Sequence, residues 1–72
     1  MHMFRGIELL DLRQQRGLSR GTVSGRAGIS RSTLSRLESN LSVPTIETLV
    51  KLANSIELPL PKFLFKVGIL RK

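Results

Sequence analysis

The stretch from Leu18 to Asn40 constrains this chain more than any other part of it. Ser19 is a strong helix N-cap, and Val23 and Ala27 follow it at the i, i+4 spacing of a helix face. Gly28 ends this run, because glycine enters the left-handed conformation that closes a helix without steric penalty. Ile29 then serves as a plug for the core, and Ser30 caps a second run from Arg31 to about Ser39. In this run Leu34 and Leu37 face inward, while Arg31, Ser32, Ser35 and Arg36 face outward. Asn40 tolerates the left-handed conformation that would end it. Residues 19–39 therefore predict two short helices joined by a tight turn.

The remaining segments read as helices too, and none alternates as a strand would. A helix from Arg5 to Arg16 is stopped at Gly17, with Leu9 and Leu12, and Phe4 or Ile7, forming its apolar stripe. Thr45 caps another that runs to about Ser55, with Ile46, Leu49, Leu52 and Ala53 inward and Ile56 just beyond its end. Leu58-Pro59-Leu60-Pro61 is a stiff connector, and a short helix begins near Pro61, a residue favoured in the first turn. Gly21 and Gly25 weaken the helix that begins after Ser19 by about 1 kcal/mol each relative to alanine. That helix must be held by tertiary packing, and the glycines also permit a close backbone approach to the next helix or to a ligand. The expected fold class is all-α, a compact bundle of four to five helices. The chain reads as a single domain, 1–72, with its core at about 5–66.

Seventy-two residues support only a small core, which favours economy or self-association. Cysteine is absent and His2 is the only histidine, so disulfides, Cys-based zinc sites and His-activated nucleophiles are excluded. No carboxylate pair has metal-binding spacing and no Gly-rich phosphate loop follows a strand, so neither an enzyme nor a cofactor is expected. Met1 and His2 look like a cloning remnant, with native translation starting at Met3. No stretch is long enough to span a bilayer, and a cytoplasmic location is expected.

The net charge is +7, and its distribution says more than its size. Arg13, Arg16, Arg20, Arg26, Arg31 and Arg36 lie between Leu12 and Leu37 with no acidic residue among them. Glu8 and Asp11 come before that window, and Glu38, Glu47 and Glu57 after it. Clustered charge of one sign is an electrostatic footprint for a polyanion, or else a plain solvated surface. A single-stranded RNA partner fits poorly, since stacking side chains are limited to three Phe, with no Tyr or Trp. Joined with the predicted helix pair, the charge suits a helix-turn-helix whose second helix enters the DNA major groove.

Three segments carry a wider resemblance. They are Leu12-Arg13-Gln14-Gln15-Arg16-Gly17-Leu18-Ser19, then Gly28-Ile29-Ser30-Arg31-Ser32-Thr33-Leu34-Ser35-Arg36-Leu37-Glu38, then Pro44-Thr45-Ile46-Glu47-Thr48-Leu49. Spaced as they are, they make the chain resemble the lambda-repressor-like, Cro-type helix-turn-helix family over about Leu9 to Leu64. The chain departs from the common pattern at Gly21, Thr22 and Gly25, where relatives often carry acidic or amide residues. It departs again at Asn40 and Leu41, where they often carry Gly and a basic residue.

The resemblance implies a sequence-specific binder of double-stranded DNA, a transcriptional regulator and repressor. It implies base reading by Arg31, Ser32, Ser35 and Arg36. Phosphate contacts are implied at Ser19, Arg20, Thr33, Ser39 and Asn40, and an ion pair between Arg13 and Glu38. Arg16 and Arg26 are expected to be peripheral phosphate partners or plain surface residues. Such regulators read palindromic operators as dimers, and the apolar Phe63, Phe65, Val67, Ile69 and Leu70 are the candidate dimer surface. The same residues could instead only close the monomer core. The alternative function is an antitoxin or adaptor whose apolar C-terminal face binds a protein partner such as a toxin.

Overall fold

The computed structural model describes residues 3–70, so the expectation about Met1 and His2 lies outside the described residues. Five helices and no strand are found there: α1 (Gly6–Gln15), α2 (Arg20–Ala27), α3 (Arg31–Glu38), α4 (Ile46–Ser55) and α5 (Leu60–Lys66). The all-α reading holds, and each expected helix is present within about a residue of its expected start and end.

Local chemistry explains the starts. Ser19, Ser30 and Thr45 each accept a hydrogen bond from the backbone N–H three residues on, at 3.0–3.1 Å. Each thereby satisfies an amide that the helix leaves without a partner. The ends share one device. Gly17, Gly28, Asn40, Glu57 and Gly68 all have positive φ. The residue after each returns its N–H to a carbonyl in the last turn: Leu18 to Arg13, Ile29 to Ser24, Leu41 to Arg36, Leu58 to Ala53 and Ile69 to Leu64. This is the Schellman closure, in which an apolar residue beyond the cap folds back on the helix. Leu18, Ile29, Leu58 and Ile69 pack in this way against the core.

The core draws on every helix. Leu9 and Leu12 of α1, Val23 and Ala27 of α2, and Leu34 and Leu37 of α3 are buried together. They meet Leu49, Leu52, Ala53 and Ile56 from α4 and its end, with Phe63 and Val67 below. Phe4 completes α1's share, and Ile7 points outward.

Two expectations about packing are corrected. Ile46 has the spacing of an inward residue yet is 68% exposed, because it stands in the first turn of α4, which no neighbouring element covers. Phe63 and Val67 are fully buried in the monomer and are withdrawn from the dimer surface. Their separation of four residues is the inward face of α5, which leaves Phe65 outside at 47% exposure.

Gly6 joins the two ends of the chain's N-terminal half. Arg5, at the N-cap of α1, offers no side-chain cap. Asn40 supplies one from across the fold: its Oδ1 accepts the Gly6 N–H and its Nδ2 donates to the Phe4 carbonyl. A Cβ on Gly6 would collide with the Leu37 carbonyl and lie 2.7 Å from that of Glu38, so only glycine allows the approach.

Candidate nucleic-acid interface

Helix α3 presents the expected row to solvent. Arg31, Ser32 and Arg36 are exposed and Ser35 is half-buried, while Leu34 and Leu37 anchor the opposite side in the core. At 3.6 residues per turn, the four outward positions fall within about 140° of the helix circumference. Thr33 is exposed as well, and its hydroxyl accepts from Ser30 at 2.8 Å. Arg36 is steadied by a bond from its Nε to Ser42 Oγ at 3.1 Å. The Arg31 side chain makes no hydrogen bond or ion pair among the described residues. Instead its guanidinium lies against Gly21, close enough that a Cβ there would be 2.7 Å from Nη2.

What holds α3 in place is a buried charge cluster. Glu38 and Arg13 have side chains only 1% and 8% exposed. Arg13 donates to the Glu38 carboxylate from Nε at 2.7 Å and from Nη2 at 3.2 Å, and from Nη1 to the Leu18 carbonyl at 3.0 Å. Arg20, a residue expected to grip a phosphate, donates from Nε to the same carboxylate at 2.9 Å. Its side chain is 47% exposed. Arg20 is therefore anchored at one edge, with its terminal nitrogens left for another partner. A charge-assisted bond of this kind fixes a long side chain that would otherwise sample many rotamers.

Two other arginines of the basic window have structural duties. Arg16 donates from Nε to the Ile56 carbonyl at 2.8 Å, and Arg26 from Nη1 to the Ser55 carbonyl at 3.1 Å. Both cap the C-terminus of α4, where the helix dipole favours cations. Both side chains are surface residues, as expected, and add to that a capping bond that the sequence did not indicate. Asn40 has a structural duty too. Its carboxamide is engaged with Gly6 and Phe4, which leaves its backbone as the part available to another partner. Ser19 and Ser39 stay exposed at the start of α2 and the end of α3.

Beside the C-terminal end of α3, where Glu38, Ser39 and Asn40 share its lining, lies an apolar patch only part of which the sequence pattern marks. Phe65 and Leu70, at 47% and 38% exposure, border an open groove together with Met3 and Ile7, at 67% and 52%. Ile69 is half-buried against the core. Ile7, the alternative to Phe4 for the inward stripe of α1, faces out, and Met3 joins it because the segment before α1 meets the end of α5 only in three dimensions, through the bond from Arg5 N–H to the Val67 carbonyl at 2.8 Å. Leu41, Val43 and Ile46 form a second exposed apolar set in and after the α3–α4 loop. Among the described residues no group of three or more His, Cys, Asp or Glu could hold a metal ion. None of the helices is long and apolar enough to cross a membrane.

Comparison with known proteins gives a consistent picture. The HTH_3 helix-turn-helix family matches residues 9–63. The chain is 38% identical over 61 residues to the HTH-type transcriptional regulator SutR of Escherichia coli K12. That match takes in 85% of this chain and 34% of SutR, so the chain spans about a third of that relative's length. The restriction-modification controller protein C.AhdI of Aeromonas hydrophila has a similar structure, with a TM-score of 0.77 at 26% identity, covering 81% of this chain and 88% of that one. SinR of Bacillus subtilis, solved in complex with DNA, gives a TM-score of 0.73 at 28% identity, covering 82% and 95% of the two chains.

Proposed function

Because the chain belongs to the HTH_3 helix-turn-helix family, we propose that it regulates transcription by binding a preferred sequence of double-stranded DNA, acting as a repressor. The observation that carries this reading is the exposed row Arg31, Ser32, Ser35 and Arg36, set on a helix whose other side is locked into the core. A helix so presented fits the major groove, where an arginine donates two bonds to guanine O6 and N7 and short serines let the backbone approach. Helix α2 lies across the backbone, with the first-turn amides, Ser19 and the free nitrogens of Arg20 toward a phosphate. Thr33, Ser39 and the backbone of Asn40 complete the phosphate contacts on the far side of α3. SutR, named as a transcriptional regulator, and SinR, bound to DNA, support the same reading.

One such domain covers few base pairs, so a homodimer on a palindromic operator, half-sites about 34 Å apart, is part of the proposal. Its contact surface is the patch of Met3, Ile7, Phe65 and Leu70. The site of action is wherever the chromosome is accessible, the bacterial cytoplasm. No catalytic step is involved.

The test is selection of bound duplexes from a random library, followed by titration. A single preferred, two-fold symmetric sequence is expected. Arg36→Ala should weaken binding to it far more than binding to random duplex, and equal losses on both would overturn base reading by that residue. Arg20→Ala should weaken all sequences alike and lower the salt slope by about one. A library that yields no preferred sequence would sink the proposal.

A further inference from the structure

We propose that Gly21 is a specificity-determining residue of this interface, acting through Arg31. The inference rests on the proposed base reading by α3. Gly21 is the second residue of α2 and Arg31 the first of α3. A Cβ built on Gly21 would lie 2.7 Å from Arg31 Nη2 and 3.1 Å from both Cζ and Nε. The guanidinium thus lies over the space a side chain would fill. Gly25, the other glycine within α2, differs: a Cβ there would meet nothing within 4 Å. Space for Arg31 is required at one position and not at the other.

The contact matters because nothing else holds Arg31. Among the described residues its side chain has no hydrogen bond or ion pair, so the bare backbone of Gly21 is its seat. All of its N–H donors stay free for a base. An unseated arginine would lose rotamer freedom on entering the groove and could present its fork in several directions. Seated on Gly21, it approaches the base edge in one orientation, which sharpens discrimination at one base pair.

The decisive experiment is a double-mutant cycle on the duplex selected by the wild-type protein, repeated with each single base-pair change in a half-site. Gly21→Ala keeps the fold, because alanine favours a helix and meets only the flexible tip of Arg31. A melting temperature at or above that of the wild type checks this. Gly21→Ala should weaken binding about three- to tenfold, the range for reordering one long side chain. The loss should fall at the same base pair that Arg31→Ala relaxes, and adding Gly21→Ala to Arg31→Ala should cause no further loss. Additive losses, unchanged base preference, or a loss spread evenly over all positions would each overturn the inference. If the wild-type protein selects no duplex, base reading and this inference fall together. If it does and the cycle shows no coupling, this inference alone falls.

Discussion

Replacing Glu38 with alanine should remove about a quarter or more of the stability of this domain. Arg13 is 8% exposed and its guanidinium makes two of its three bonds to Glu38, at 2.7 and 3.2 Å. Arginine stays protonated in proteins, so without Glu38 the charge stays buried, with only the Leu18 carbonyl beside it. Breaking one side of a buried pair costs about 3–5 kcal/mol. At about 0.05–0.15 kcal/mol per residue, a chain of 72 residues has roughly 4–11 kcal/mol in total. Arg20 is the internal control. It meets the same carboxylate, but its side chain is 47% exposed and Glu38 keeps both bonds from Arg13 without it, so Arg20→Ala should cost about 1 kcal/mol or less. The double variant Arg13→Met with Glu38→Leu removes both buried partners and should recover most of the loss. Urea unfolding followed by far-UV circular dichroism reads all of these. At a slope of about 1 kcal/mol per molar, Glu38→Ala should lower the midpoint by about 3–5 M. A loss of under about 1 kcal/mol, or a double variant as unstable as Glu38→Ala, would refute the account of a stranded charge.

Other outcomes follow from single contacts. Asn40→Ala should lose about 2–3 kcal/mol in the same unfolding assay, through its positive φ and the bonds to Gly6 and Phe4, and Asn40→Gly should restore only the backbone share. Gly25→Ala should raise stability by about 0.5–1 kcal/mol, because a Cβ there meets open space, and a thermal melt that falls instead would contradict this. Phe65→Glu should leave the monomer's unfolding midpoint nearly unchanged, since the ring is 47% exposed, while splitting the proposed dimer in sedimentation equilibrium. A dimer that survives it lies elsewhere on the surface.

The basic window illustrates how far charge alone can be read. Six neighbouring arginines without an acid suggested a continuous surface for a polyanion. In the folded chain their work is divided. Arg13 is a buried strut, Arg16 and Arg26 cap α4, and Arg20 shares Glu38, while Arg31 and Arg36 remain on the outer face of α3. The outward row on α3 was legible because Leu34 and Leu37 fix the orientation of that helix. The pairing of Arg13 with Glu38 was also anticipated, through resemblance to a family. The roles of Arg16, Arg26 and Asn40 were not, since each depends on a carbonyl or amide that is distant along the chain.

The sequence by itself determined the helices. Ser19, Ser30 and Thr45 begin them and Gly17, Gly28 and Asn40 end them, because capping acts over three or four residues and needs no distant partner. It also determined most of the core, since apolar positions at helical spacing have one way to face inward together. Tertiary structure decided what depends on segments far apart in the chain. It put Gly6 on the end of α3, left Ile46 uncovered, buried Phe63 and Val67 and exposed Phe65, and laid Arg31 on Gly21. Long polar side chains and exposed apolar ones carry no local rule for their partners. Their roles are set only when packing brings another element within a few ångströms.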